Sequence, residues 1–269
     1  MPPVRKLNRK PNQRSTANAR PRGGSIREKA YLHIQKRIAN GTLAAGGGIS
    51  ELLLAKELQS SRAPIREAMH QLAAEGLLEQ NPSGGMVVAQ LTRGDIVELY
   101  ELREALEVFA VGKTARMPMV QPDKQRLQNL VDEIGVLRRE LETSGGVALD
   151  TRQMERFIAC DLGFHALLIS MANNSRLHKI VNETRLLIRI FAIYREGHDR
   201  IALKNIQRYH QRILDSVVRQ QPAVAMAALG EHIQASQRER LSEYDRWKRE
   251  NSLRRLPGFL GAAKTAWRS

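Results

Sequence analysis

The stretch SSRAPIREAMHQLAAEGLLEQ, residues 60–80, decides how the chain folds. Ile65, Ala68, Met69 and Leu72 recur at i, i+3, i+4 and i+7, the spacing of one buried helical stripe. Pro64 falls in the first turn, where its missing N–H breaks no helical hydrogen bond. Arg62 and Arg66 stand one turn apart on another face. They either read a partner or keep a surface wet, and the neighbouring segments choose between these.

Upstream, Ser25 can cap a helix in which Ile26, Ala30, Ile34 and Ile38 recur every fourth residue, with Gly41 to close it. After GTLAAGGG, Ser50 can cap a short second helix, ELLLAKEL. Downstream, LLEQNPSGGMVVAQL places two extended runs around NPSGG, which predicts a hairpin. Three helices and a hairpin wing are the layout of a winged helix-turn-helix, here over residues 25–91. Thr92 followed by Asp95 makes a capping-box start for a new helix. Composition changes there too, so the domain boundary is expected near residue 91.

From residue 93 to 245 only helix signals appear. Segments such as DIVELYELREALEVFAVGKTAR and LKNIQRYHQRILDSVVRQ are amphipathic, and six or seven helices with short polar connections predict an all-α bundle over 92–245. The chain is thus expected to be mostly α, with the hairpin as its β element.

Net charge is +15 over 269 residues, but it is unevenly placed. Residues 1–24 hold seven basic residues and no acid, and 246–269 hold seven against Glu250 alone, so the ends supply thirteen of the fifteen charges. Both ends read as basic tails, the first one disordered. They either add unspecific attraction to phosphate or are simply solvated. The Arg-rich start also faintly resembles an organelle transit peptide. No apolar run suits a membrane span or a secretory signal, and the single Cys160 fits a reducing cytoplasm.

Asp161 and His165, four apart in DLGFH, project from one helix face. Alone they are as well explained as an ordinary helix pair. His210 and His232 are each eleven residues from Gln221, beside Pro222, where two helices must turn. In an antiparallel hairpin, residues equidistant from the bend sit at one height, here ~16 Å from it. One carboxylate and three imidazoles suit Zn, Ni, Fe or Mn better than Ca or Mg. Chance symmetry remains the competing reading. His33, His70, His178 and His198 have no comparable partner and read as surface or boundary residues.

These motifs resemble a known family. The segments from IREKAYLHIQ to AQLT resemble the winged-helix domain of GntR-type bacterial regulators. YELREALE, DLGFHALLISMANN, YHQRILDSVV and ALGEH resemble the FCD domain of its FadR branch. The resemblance implies a one-component transcription factor, not an enzyme: a homodimer in the bacterial cytoplasm, bound to a short palindromic operator in the nucleoid. Ser61, Arg62, Ala63 and Arg66 fall on the family's recognition-helix contacts, and Gly84 and Gly85 on the wing tip. Arginine is the residue type that donates two hydrogen bonds to a guanine edge or grips phosphate. Three departures bear on the operator: Leu52 replaces a common arginine, Ala63 a common threonine, and GGGIS a tighter Pro-Gly turn.

The FCD resemblance further implies that Asp161, His165, His210 and His232 hold a divalent transition metal, with a small carboxylate effector beside it. Arg103 then either points into that pocket or pairs with Glu107 along its helix. Asn174 matches a family asparagine and also reads as a helix C-cap. Two other functions fit the same four residues: a regulator for which the metal is itself the signal, and a metal-dependent hydrolase or lyase.

Overall fold

A computed structural model describes residues 24–39, 42–190 and 197–254. The proposed disordered start and the Gly41 helix stop lie outside them. Three helices come first: α1 (Ile26–Ala39), α2 (Glu51–Glu57) and α3 (Arg62–Ala74). The Ser25 hydroxyl accepts from Glu28 N–H at the start of α1, and Ser50 from Leu53 N–H at the start of α2. The α3 stripe of Ile65, Ala68, Met69 and Leu72 is buried against Ala30, Ile34 and Ile38 of α1. Each large apolar side chain buried this way contributes about 1.5–3 kcal/mol.

The sheet has one strand more than the expected hairpin. β2 (Leu78–Gln80) and β3 (Met86–Val88) pair antiparallel, and β1 (Gly48–Ile49) adds to the other edge of β3, giving the order β1-β3-β2. The glycine run expected to form a loose turn therefore enters a strand. At the wing tip the Asn81 side chain accepts from the Ser83 backbone N–H and hydroxyl, and Gly84 and Gly85 take φ of 99° and 81°. Those angles are open to glycine and strained for other residues.

Six helices follow: α4 (Arg93–Thr114), α5 (Gln121–Ser144), α6 (Thr151–Ser170), α7 (Ser175–Ile190), α8 (Arg200–Val218) and α9 (Pro222–Arg254). The Thr92–Asp95 capping box forms as expected. Asp150 and Gln153 make a second one at α6, and the Asp199 side chain caps α8. Helix α9 runs past Tyr244 to Arg254, so the first part of the segment read as a C-terminal tail is helical.

The bundle core gathers Phe164 and Leu168 of α6, Ile213 and Val217 of α8, and Leu229 and Ile233 of α9. Helix α7 joins this bundle to the three-helix head. It packs on α1, and its Leu187 sits against the head's core, within 4 Å of the space over Gly76.

Candidate functional site

The α8–α9 hairpin turns at Arg219–Gln221, with Gln220 in the left-handed region. This places His210 opposite His232, their Nε2 atoms 3.3 Å apart. Helix α6 supplies the other two groups. Asp161 Oδ1 lies 3.5 Å from His210 Nε2 and 3.8 Å from His165 Nε2. One donor atom from each of the four residues falls within 4.8 Å of the others. All three histidines are buried. Phe164 stacks flat on His210, with centroids 4.2 Å apart and planes at 8°, which fixes the imidazole.

The donor set fits a transition metal on three grounds. Two nitrogens bound to one tetrahedral ion at about 2.0–2.1 Å sit roughly 3.3–3.4 Å apart, close to the His210–His232 spacing. The buried His165 Nε2 has no hydrogen-bond partner among the described residues. Its Nδ1 lies 3.0 Å from Glu107 Oε2. An Nδ1–H donated to that carboxylate leaves a lone pair on Nε2 aimed at the cluster, the outer arrangement common for metal-bound histidine. Burial, aided by the Arg185 guanidinium, pushes the His165 pKa down to about 4. Burial, with His210 and His165 as neighbours, holds His232 well below its usual value. Both imidazoles are therefore neutral at neutral pH, the form that binds metal. For Asp161 burial acts upward, but the His210 hydrogen bond, His165 and Arg185 outweigh it and keep the carboxylate ionised.

Glu107 was legible in the sequence only as an alternative partner for Arg103, yet it is the hub of the site. It is fully buried. Arg103 Nε donates to its Oε1 at 2.8 Å, Arg185 Nε to the same oxygen at 2.7 Å, and a second Arg185 nitrogen to Oε2 at 3.2 Å. Burial alone would raise this carboxyl, and the two guanidiniums and His165 hold it well below the usual range. Arg103 meets both of its expected descriptions, since it pairs with Glu107 and also lines the cavity over the cluster. That cavity, about 70 Å³, is bounded by Arg103, Asp161, Arg185 and His232, among others. Arg185 went unread in the sequence. A charge inside the apolar run LLIRI was the available signal.

Asn174 differs from its expected role. Its side chain accepts from Leu177 N–H and so caps the start of α7, while Asn173 takes the left-handed turn after α6. It is not among the residues lining the cavity. His198 differs as well. It is buried, with Nδ1 3.2 Å from Glu239, rather than on the surface. Cys160 is buried, and desolvation pushes its thiol up to about 11.

In the head, Ser61, Arg62, Ala63 and Arg66 are all exposed at the start of α3, and Gly84 and Gly85 are exposed on the wing. Arg66 is held rather than free. Its Nε and a terminal nitrogen donate to the Glu51 carboxylate at 3.0 and 2.9 Å. That pair links the reading helix to the start of α2.

A three-helix head that exposes an arginine-bearing helix and a glycine wing, carried on a helical bundle with a buried polar centre, defines a transcription regulator of the helix-turn-helix class. The comparisons with known proteins give the family. Residues 26–88 match the model described as bacterial regulatory proteins, gntR family, and residues 98–235 match the FCD domain. The chain belongs to the GntR family and carries an FCD domain. It is 31% identical to the HTH-type transcriptional regulator YdhC of Bacillus subtilis, over 70% of this chain and 78% of that one. It is also 31% identical to a probable D-xylose utilization operon transcriptional repressor of Paenarthrobacter nicotinovorans, over 75% and 83%. The solved structure of E. coli McbR/YncC shares the fold at a TM-score of 0.66 and 19% identity, covering 82% of this chain and 99% of that chain. The family and these relatives are regulators rather than enzymes, which sets aside the hydrolase or lyase reading. No helix among the described residues is long and apolar enough to cross a membrane.

Proposed function

We propose that this regulator senses a small organic acid bound beside a divalent transition metal, Zn, Ni, Fe or Mn, and that the acid changes its grip on a short palindromic operator. Residues 25–91 form the reading head and 92–245 the sensor, working in the bacterial cytoplasm. A homodimer sets two copies of α3 about one DNA turn apart. Leu102 and Phe109 favour such pairing, because they are exposed on α4 seven residues apart and so form an apolar stripe.

The observation that carries this reading is one cavity holding both the metal donor set and two buried arginines. Arg103 and Arg185 are balanced by Glu107 and Asp161 while the three imidazoles are neutral. A divalent ion therefore adds uncompensated positive charge in a buried space, which attracts an anion. When bound, the metal supplies a Lewis-acid contact for a carboxylate oxygen. The chain's own residues orient the acid and exclude water from it.

Helix α7 supports the coupling of the two parts. Arg185 faces the cavity, and Leu187, two residues on, packs against the head's core. An acid that draws on Arg185 also loads the helix on which the head rests.

The test is fluorescence anisotropy with a labelled DNA fragment from upstream of the protein's own gene, using metal-loaded protein and a panel of small organic acids. One acid is expected to change operator affinity by roughly 5–150-fold, the usual range of coupling between sites. Leu187→Ala is expected to keep acid binding and lose most of that change. Operator affinity that follows free metal and ignores every acid would make the ion the signal. An acid that binds without altering DNA affinity would overturn the coupling.

A further inference from the structure

The small cavity over the metal donors opens into a second one. A cleft of about 370 Å³ between α8 and α9 shares Ile206, His232, Ser236 and Glu239 with it. The inner chamber, about 70 Å³, equals roughly two waters' share of liquid volume. It has room for a carboxylate head and little more. Any longer effector must pass His232 into the cleft, whose volume is typical of small-molecule sites.

The chemistry of the cleft restricts what that remainder can be. Asn205 and Arg208 stand on its open rim, Tyr209 is half-buried, and Ser236 faces them from α9. The side chains of Asn205, Tyr209 and Ser236 make no hydrogen bond to another described residue, so their donors and acceptors are unspent. The Tyr209 ring lies 5.4 Å from the His232 ring, tilted by 41°, and so stands at the junction of the two chambers. An aromatic face accepts C–H edges, and amide, hydroxyl and carboxylate groups accept or donate to hydroxyls. An alkyl chain seated here would strip water from these polar groups and give nothing back.

We propose that the cleft is a second subsite of the effector pocket and that the effector is a polyhydroxylated carboxylate, a sugar acid in chemical class. Its carboxylate sits in the inner chamber beside Arg103 and Arg185. Its hydroxyl-bearing chain runs past Tyr209 to Asn205 and Ser236. This rests on the carboxylate-sensing reading above.

The test is isothermal titration of the full-length Zn2+-loaded protein with acetate, hexanoate and gluconate. These probe the head alone, an alkyl chain and a hydroxylated chain of equal length. Gluconate is expected to bind at least about tenfold more tightly than hexanoate, because a site built to hydrogen-bond hydroxyls rejects an analogue lacking them. Asn205→Ala combined with Ser236→Ala is expected to lower gluconate affinity by about tenfold and leave acetate unchanged. Alanine is well tolerated at such helical positions, so an unchanged melting temperature confirms the fold. Hexanoate binding as well as gluconate, or gluconate binding untouched by the double variant, overturns the subsite while the carboxylate reading stands. Failure of all three acids overturns both.

Discussion

An Arg62→Ala, Arg66→Ala double variant is expected to lose about 2–6 kcal/mol of operator binding, because each two-pronged arginine–guanine contact contributes about 1–3 kcal/mol. At roughly 1.4 kcal/mol per tenfold, a loss in the middle of that range weakens binding by about three orders of magnitude. Both side chains are exposed, so the fold does not depend on them. The one interaction lost within the protein is the Arg66–Glu51 pair. Surface pairs of this kind contribute about 0–1 kcal/mol, and the melting temperature should barely move. Arg66→Lys separates the two modes of contact. Lysine keeps the charge but loses the planar fork, so a phosphate contact tolerates it and a guanine contact does not. Anisotropy at fixed salt reads all three proteins. Unchanged affinity in the double variant would show that another surface reads the DNA.

Glu107→Ala is expected to destabilise the metal-free protein by about 3–5 kcal/mol, the usual result of removing one partner from a buried ion pair. The carboxylate accepts from two buried guanidiniums, and no other acceptor stands as close to both. At about 2–4 °C per kcal/mol for a chain of this size, the melting temperature falls by roughly 6–20 °C. A second effect follows through His165, whose Nδ1 loses its anchor. Loss of such an outer partner typically lowers metal affinity by about 10–100-fold. Glu107→Gln keeps one acceptor oxygen and should fall between the two. Calorimetry on the metal-free forms isolates the first effect, since bound metal adds its own stabilisation. A melting temperature unchanged by Glu107→Ala would mean that the arginines find other partners.

The local and nearly one-dimensional features were the legible ones. The α3 stripe, the Thr92–Asp95 cap and the Ser50 cap follow from spacings of three and four residues, and each forms. The meeting of His210 and His232 was readable because a helical hairpin reduces height to a count from the bend. What escaped has no periodic trace. β1 is two residues long among glycines and exists only because β3 offers an edge. Glu107 and Arg185 lie 78 residues apart, and only the packing of α4 on α7 brings them together. Asn174 sits where one helix has just ended and the next begins, so a cap of either kind suited it until the Leu177 hydrogen bond chose. The continuation of α9 carried charged residues without an apolar period, which reads as a tail.

The central claim is that Asp161, His165, His210 and His232 hold one divalent ion. Isothermal titration of chelator-stripped protein with Zn2+ tests it most directly, run on the parent chain and on His210→Ala and His232→Ala. The expected result is one ion per chain, with each histidine variant weakened by more than the roughly 10–100-fold that loss of an outer partner alone produces. Binding of no ion by the parent, or equal affinity in all three proteins, would contradict it.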